Sequence, residues 1–470
     1  MRTSNGDISS ELGTAPIGKL LWKLAVPTVV AQLVNLLYNI VDRIYIGHMP
    51  DVGRVALTGV GLCFPVIYLI SAFTMLVAQG GAPRAAISMG QGDDKAAEEI
   101  MGNCFTCLVV VALLLTAAFW FWGEPLLWLF GCSEETIIYA LPYMRIYASG
   151  SLFVMMALGM NLFVTTQGFT RFSMITVVVG AVSNIILDPI FIYALNMGVQ
   201  GAALATVISQ AISGIWVVWF LVGGKTKLRL RTRWLRPSAR VMLPVLGLGL
   251  APFIMQATEA MLNISFNSSL QRYGGDIPVG AMTVASTVMQ MVWIPTQGIG
   301  QGAQPIISYN YGAGNTQRVR QAFWALLKVS GIFVAVVWAL IQLFPQFFIR
   351  IFNDSPELLD TAVWSLRLYT ASLGLFGIQL SVQQTFMAIG RAKASLFIAC
   401  LRKVILLIPL IFILPLFFED KVFAVFLAEP VSDFISVVVS AITFYFVFRR
   451  AMADLEKKKS GGSEPACQGR

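Results

Sequence analysis

The chain has 470 residues, 57% of them hydrophobic and only 12% charged, with a formal net charge of +9 and a mean hydropathy of +0.74. That balance excludes a soluble domain and marks an all-α, polytopic membrane protein. The positive charge is local rather than spread. It crowds residues 225–240 and the segment from Arg449 to Lys459, where contact with interfacial lipid accounts for it better than a nucleic-acid partner does.

In chain order, a polar lead over residues 1–19 lacks the charged-then-apolar start of a cleavable signal. Charge-poor runs then recur, each long enough for one or more spans of about 20 residues. Divided at Gly, Pro and Asn clusters, they predict twelve transmembrane helices over 20–46, 54–82, 98–122, 136–166, 171–195, 199–223, 239–270, 277–309, 318–344, 358–388, 394–417 and 422–449. A basic linker, 224–238, separates two lobes, 20–223 and 239–450, and a polar tail follows over 451–470. Connections after even-numbered spans carry Arg84, Lys95, Arg171, Arg318, Arg320, Arg391 and Lys393, whereas those after odd-numbered spans hold only Arg54, Arg272, Arg350 and Lys421. The positive-inside rule therefore places both termini in the cytoplasm of a cell (inner) membrane protein. Six cysteines form neither a disulfide framework nor a zinc pattern.

Two acidic residues interrupt apolar spans. Asp42 lies in the first, where Arg43 points about 100° away and need not neutralise it. In the fifth, Asn184 and Asp188 are four apart and share a helix face, and Pro189 frees a backbone carbonyl one turn earlier. An ionisable group at membrane depth costs at least about 2.5–3.5 kcal/mol and is kept for ion or substrate handling, with a partner across the bundle.

The halves repeat at an offset of 222. Gln79-Gly80-Gly81-Ala82-Pro83 matches Gln301-Gly302-Ala303-Gln304-Pro305, and Gly90-Gln91-Gly92 matches Gly312-Ala313-Gly314. Phe130, Ser133 and Glu135 match Phe352, Ser355 and Glu357, while Arg145, Tyr147 and Gly168 match Arg367, Tyr369 and Gly390. Two six-helix bundles entering from the same side are parallel, pseudo-symmetric repeats, an arrangement of secondary transporters with a cavity between the halves. The acids have no duplicate. Asp42 corresponds to Asn267 at offset 225, and Asn184 and Asp188 correspond to Leu406 and Leu410. Gly90-x-Gly92 lacks the lysine of a phosphate loop, and no nucleophile–base motif is present, so no enzyme is expected.

With Asn35-Leu-Leu-Tyr38-Asn39-Ile-Val-Asp42, Ile46-Gly47, Gln79–Gly92, Asn184–Asp188 and Gly201–Gln210 in view, nearly all of 15–450 resembles the multidrug and toxic compound extrusion (MATE) transporters, most of all their prokaryotic DinF-like branch. The resemblance implies an antiporter without cofactor that exports cationic amphipathic drugs in exchange for inward H+ or Na+. It also implies that Asp42, Asn184, Asp188 and Thr206 converge in the N-terminal lobe, with Tyr38 and Asn161 as supporting polar groups. Two carboxylates brought together in low dielectric favour the state in which one keeps a proton near neutral pH, while the same oxygens with an amide and a hydroxyl would ligate Na+. Pro27 is a candidate hinge in the first span.

In the C-terminal lobe, the resemblance implies that NorM-like relatives use a helix-7 Glu with a helix-10 Asp for Na+. Glu259 falls near the first, but Gln379 stands where the second is expected. Glu259, Arg402, Glu429 and Asp433, with Lys403, are read as a secondary charged cluster. Met155, Met156, Met160, Met289, Met291, Trp293, Gln301, Gln304 and Tyr309 are candidate drug-cavity residues, since flexible Met and aromatic surfaces accept varied cations. A monomer is expected, and the alternative reading is a lipid-linked oligosaccharide flippase of the same superfamily.

Overall fold

The structure, a computed structural model, describes residues 7–50, 52–224, 226–350 and 356–461. Lys225 of the linker, Phe352 and Ser355 of the repeat, and residues 462–470 of the tail therefore lie outside the described residues. All regular elements within the described residues are helices.

All twelve predicted positions are helical. Among the described residues, ten helices are individually long and apolar enough to cross a bilayer: Ile17–Gly47, Val55–Gly90, Asp94–Leu129, Thr170–Ala194, Gly198–Val222, Ala239–Gly274, Asp276–Gly312, Thr316–Leu343, Ala392–Leu416 and Lys421–Lys457. The fourth span is a pair, Glu134–Ser149 and Ser151–Thr166, bent by 56°. Gly150 stands at the joint, where a Cβ would fall 2.3 Å from Val207 Cγ2 of the sixth span; only a glycine lets the two spans approach this closely. The tenth span is broken into Pro356–Tyr369 and Phe376–Ala388. This is a multi-pass membrane protein of two six-helix bundles.

The compact units divide the chain elsewhere than at the linker. One takes in Val26–Ala85 and Asp94–Ala257, the other Glu11–Ala25, Ala86–Asp93 and the chain from Thr258 onward. The start of the seventh span thus belongs with the N-terminal bundle and the start of the first with the C-terminal bundle. Glycine packing explains both assignments. In the first unit, a Cβ on Gly80 would lie 2.1 Å from Val245 O, and one on Gly249 1.7 Å from Leu76 O. In the second, a Cβ on Gly302, the repeat partner of Gly80, would lie 2.5 Å from Ala25 Cα. Backbone meets backbone at each crossing, as small residues permit between membrane helices.

The second conserved spacing of the repeat has the same cause. Within the second unit, a Cβ on Gly90 would meet Tyr309 O at 2.0 Å and one on Gly312 would meet Ile87 O at 2.0 Å. Gly92 and Gly314 take positive φ, 80° and 70°, and end these helices.

The linker is a strap stitched to the first unit. Glu98, buried near the start of the third span, accepts from Arg229 N (3.1 Å), Arg231 Nε (3.3 Å) and Trp234 Nε1 (3.3 Å). Gln167 Oε1 accepts from Leu228 N at 2.9 Å, and Thr106 Oγ1 donates to Leu235 O at 2.7 Å. In the second unit, Arg318 holds the end of the short helix Asp7–Thr14 by donating to Ala15 O (2.7 Å) and Leu12 O (3.3 Å) while its Nε bonds Asn310 Oδ1.

Candidate functional site: a polar cluster in the N-terminal bundle

The fifth span runs as α-helix from Thr170 through Pro189 and continues as a π-helical turn, Ile190–Ala194. The proline lacks the N–H that would bond one turn back, so the helix widens just past Asp188. Gly201 brings the sixth span against this turn, since a Cβ there would lie 2.7 Å from Phe191 C and O. The close approach sets Thr206 beside Asn184.

Asn184, Asp188 and Thr206 are all buried. The Asn184 amide donates to Asp188 Oδ1 at 3.2 Å and to Thr206 Oγ1 at 3.4 Å. Asp42, also buried, stands within electrostatic reach of Asp188. Tyr38, one turn before Asp42, accepts from Gln210 Nε2 at 3.3 Å and is in reach of both acids. Five of the expected residues therefore converge: Tyr38, Asp42, Asn184, Asp188 and Thr206.

Asn161 stands apart from this bonding. Its amide donates to Ser173 O at 3.4 Å, and Ser173 is about three turns, ~16 Å, before Asn184 on the fifth span. The hydrogen bonds do not tie it to the cluster.

Electrostatically, the site is short of donors, and Arg43, next in chain to Asp42, is within electrostatic reach of it without forming an ion pair among the described residues. Asp42 Oδ1, Asn184 Oδ1 and Asp188 Oδ2 are buried with no hydrogen-bond partner among the described residues. A buried acceptor without a partner costs roughly 1–3 kcal/mol, more if charged, and Asp42 and Asp188 form no ion pair among the described residues. One undonated oxygen on each of Asp42, Asn184 and Asp188, in low dielectric, suits a proton or a small cation with oxygen ligands.

Three residues were missed as site members. Gln210 lay inside the motif Gly201–Gln210 without a role. Tyr143 and Tyr147, buried and stacked with ring centroids 6.3 Å apart, stand in reach of Asp42 and Tyr38. The signal for Tyr147 was its repeat at Tyr369, which stands in reach of Glu259, Glu429, Asp433 and Arg402 in the other unit.

That second cluster forms as the sequence suggests. Arg402 Nε donates to Asp433 Oδ1 at 2.6 Å and its NH2 to Glu429 Oε1 at 3.1 Å, while Lys403 pairs with Glu259. Gln379 instead accepts from Ser440 Oγ at 2.7 Å.

The drug-cavity candidates divide. Met155, Met156 and Met160 are enclosed in the N-terminal bundle, and Gln304 is buried within its own unit, so these four are core in this conformation. Flexible Met side chains fill volume in such a core. Met289, Met291, Trp293, Gln301 and Tyr309 keep exposed surface, and Trp293 packs on Phe376 with centroids 5.0 Å apart.

The family model MatE matches residues 27–190 and 252–413. Multidrug export protein MepA of Staphylococcus haemolyticus is 22% identical over 425 residues, spanning 90% of this chain and 93% of that protein. A MATE protein crystallised in complex with MaD3S superposes with a TM-score of 0.87 at 22% identity, over 97% of this chain and 100% of that one. An outward-facing multidrug resistance MATE family transporter of the MOP superfamily also superposes with a TM-score of 0.87 at 22% identity, over 97% and 99%.

Proposed function

Because the chain belongs to the MATE family of membrane transporters, we propose that it is a multidrug efflux antiporter that exports cationic, amphipathic compounds in exchange for inward H+ or Na+. It is a transporter and not an enzyme. The observation that carries the reading is the trio of undonated buried oxygens on Asp42, Asn184 and Asp188. A group of this kind is stabilised by binding a cation and destabilised by losing it, so its occupancy favours one conformation over another.

In this cycle the cation enters the Asp42–Asn184–Asp188–Thr206 cluster, and drug release and cation entry are linked through one alternating-access transition. The Asn184 amide, donating to both Asp188 and Thr206, fixes the two acceptors relative to one another. Tyr38, oriented by Gln210, supplies a hydroxyl beside the acids. An inward monovalent charge gains about 2.3 kcal/mol per 100 mV of membrane potential, enough to help drive export. Pro27, immediately beyond the point where the first span passes from one compact unit to the other, is the hinge of this scheme. The protein works as a monomer in the cell membrane with both termini cytoplasmic.

The pyrophosphate of a lipid-linked sugar would call for free interior bases. Arg402 and Lys403 are instead engaged by Asp433, Glu429 and Glu259, which disfavours the flippase alternative. Ethidium efflux from proteoliposomes, under Na+ and pH gradients imposed separately, tests the proposal. Efflux should follow one of the two gradients; ethidium movement that ignores both overturns it.

A further inference from the structure

On the third span, exposed Trp120, Phe121 and Trp122 lie ~33 Å of helix beyond Glu98 and the strap it holds. That length crosses a hydrocarbon core of about 30 Å, so these rings mark the membrane interface opposite the strap. Beside them, between the third, fourth and sixth spans, is a cavity of about 430 Å³ whose lining includes Trp120, Leu141, Arg145, Ser149, Gln200 and Leu204. Among the described residues that line it, Arg145 is the one charged side chain and none is acidic.

Arg145 is held in place but not neutralised. Ser149 Oγ donates to Arg145 O at 2.8 Å and accepts from Trp120 Nε1 at 3.0 Å, which keeps the indole ring 5.5 Å from the guanidinium carbon. Contact with a ring face steadies the cation without cancelling its charge. Arg145 forms no ion pair among the described residues, and its Nε is buried with no hydrogen-bond partner among them. A guanidinium does not lose its proton in a protein, and a charge against lipid is costly. An anion from outside the chain relieves that cost.

The repeat puts the same residue at the same register. Arg367, the match of Arg145, lines a cavity of about 650 Å³ with Phe344, Phe347 and Arg350. Gln342, which the offset matches to Trp120, accepts from Arg367 Nε through its backbone oxygen at 3.1 Å and donates its amide to Arg367 O at 2.9 Å. One bundle tethers its arginine with an indole and the other with an amide. Two different tethers for one repeated cation point to a use for the cation itself.

We propose that each of these cavities binds the phosphodiester of an anionic membrane lipid, with Arg145 and Arg367 as the phosphate-binding residues. The two-pronged guanidinium matches phosphate oxygens, and lipid phosphate is the anion at the depth of the aromatic belt. The apolar walls, Leu141 and Leu204 in one bundle and Phe344 and Phe347 in the other, suit the chains that a headgroup brings with it. With no acid among the described lining residues to take the ammonium of a zwitterionic headgroup, both sites favour lipids of net negative charge. The proposal needs only the protein's place in a membrane and is independent of its transport function.

Native mass spectrometry of the full-length protein, titrated in detergent with phosphatidylglycerol or, separately, phosphatidylcholine, tests this. One basic residue near an anionic lipid surface amounts to about fivefold in affinity, so phosphatidylglycerol should bind about fivefold more tightly than phosphatidylcholine. Arg145→Gln and Arg367→Gln should each carry one phosphatidylglycerol molecule fewer than wild type, and the double variant two fewer. Millimolar inorganic phosphate should displace neither; displacement would make the sites ones for soluble phosphate and overturn the lipid assignment. Equal binding of the two lipids, or an unchanged count in the folded double variant, also overturns the proposal. Leu204→Trp and Val363→Trp, which fill the cavities and leave the arginines, serve if the Gln variants do not fold and should cost the same molecules. If the filled variants fail to fold as well, the arginines are packing elements and the proposal falls.

Discussion

Replacing Asp188 by Asn keeps the shape of the side chain and exchanges one oxygen for an amide nitrogen. In the native cluster Asp188 Oδ1 accepts from Asn184 at 3.2 Å, while Oδ2 is buried without a donor. The variant retains the first bond, because its own amide oxygen accepts from Asn184. Its new N–H2 replaces the undonated oxygen and puts donors among acceptors that lack them, Asp42 Oδ1 and Asn184 Oδ1. Folding should therefore not suffer: the buried oxygen cost roughly 1–3 kcal/mol, and the variant should be as stable as wild type or more so by thermal unfolding. Cation handling should suffer badly. Removing one partner of a buried charge pair costs about 3–5 kcal/mol, and every 1.4 kcal/mol is tenfold in affinity, so the cation should bind at least ~100-fold more weakly. Gradient-driven ethidium efflux in proteoliposomes should fall to the rate of empty liposomes while the purified protein stays monodisperse. Coupled efflux at the wild-type rate in folded Asp188→Asn would refute the reasoning, because the carboxylate would then have no part in cation capture.

Two further outcomes follow from packing. Gly80→Leu places carbon where Val245 O already stands 2.1 Å from a Cβ, and overpacking of this kind costs about 1–3 kcal/mol or more; the variant should lose folded yield and melt at lower temperature, whereas Gly247→Leu, where a Cβ meets nothing within 4 Å, should not. Glu98→Ala removes the acceptor of Arg229 N, Arg231 Nε and Trp234 Nε1; limited trypsin digestion should then cut the strap at its arginines at least about tenfold faster, with the spans still intact.

Much of the architecture was legible because lipid leaves little choice. With no water to satisfy backbone polar groups, a long apolar run must be helical, so span positions followed from hydropathy and the bundles from the repeat. The glycines at 80, 90, 302 and 312 were visible as a repeated spacing, but their purpose was not. Only the crossings show that each removes a Cβ from the path of another backbone, and that this packing gives the start of each bundle's first span to the opposite unit.

At the polar cluster the same division holds. An acid inside an apolar span announces itself from sequence alone, because its cost in lipid demands a purpose, and the helical period puts Asn184 with Asp188. That Asp42 stands within electrostatic reach of Asp188, that Gln210 bonds Tyr38 and that Tyr143 and Tyr147 stand in reach of Asp42 are relations across long stretches of chain, which no local pattern records. Burial likewise places Met155, Met156, Met160 and Gln304 in the packed interior of this conformation, which the sequence does not show, since a methionine reads the same in a core as beside a solute. Residue chemistry thus came from the sequence; which groups have partners, and which buried oxygens still lack one, was decided by tertiary structure, because hydrogen-bond satisfaction is a property of neighbours in space.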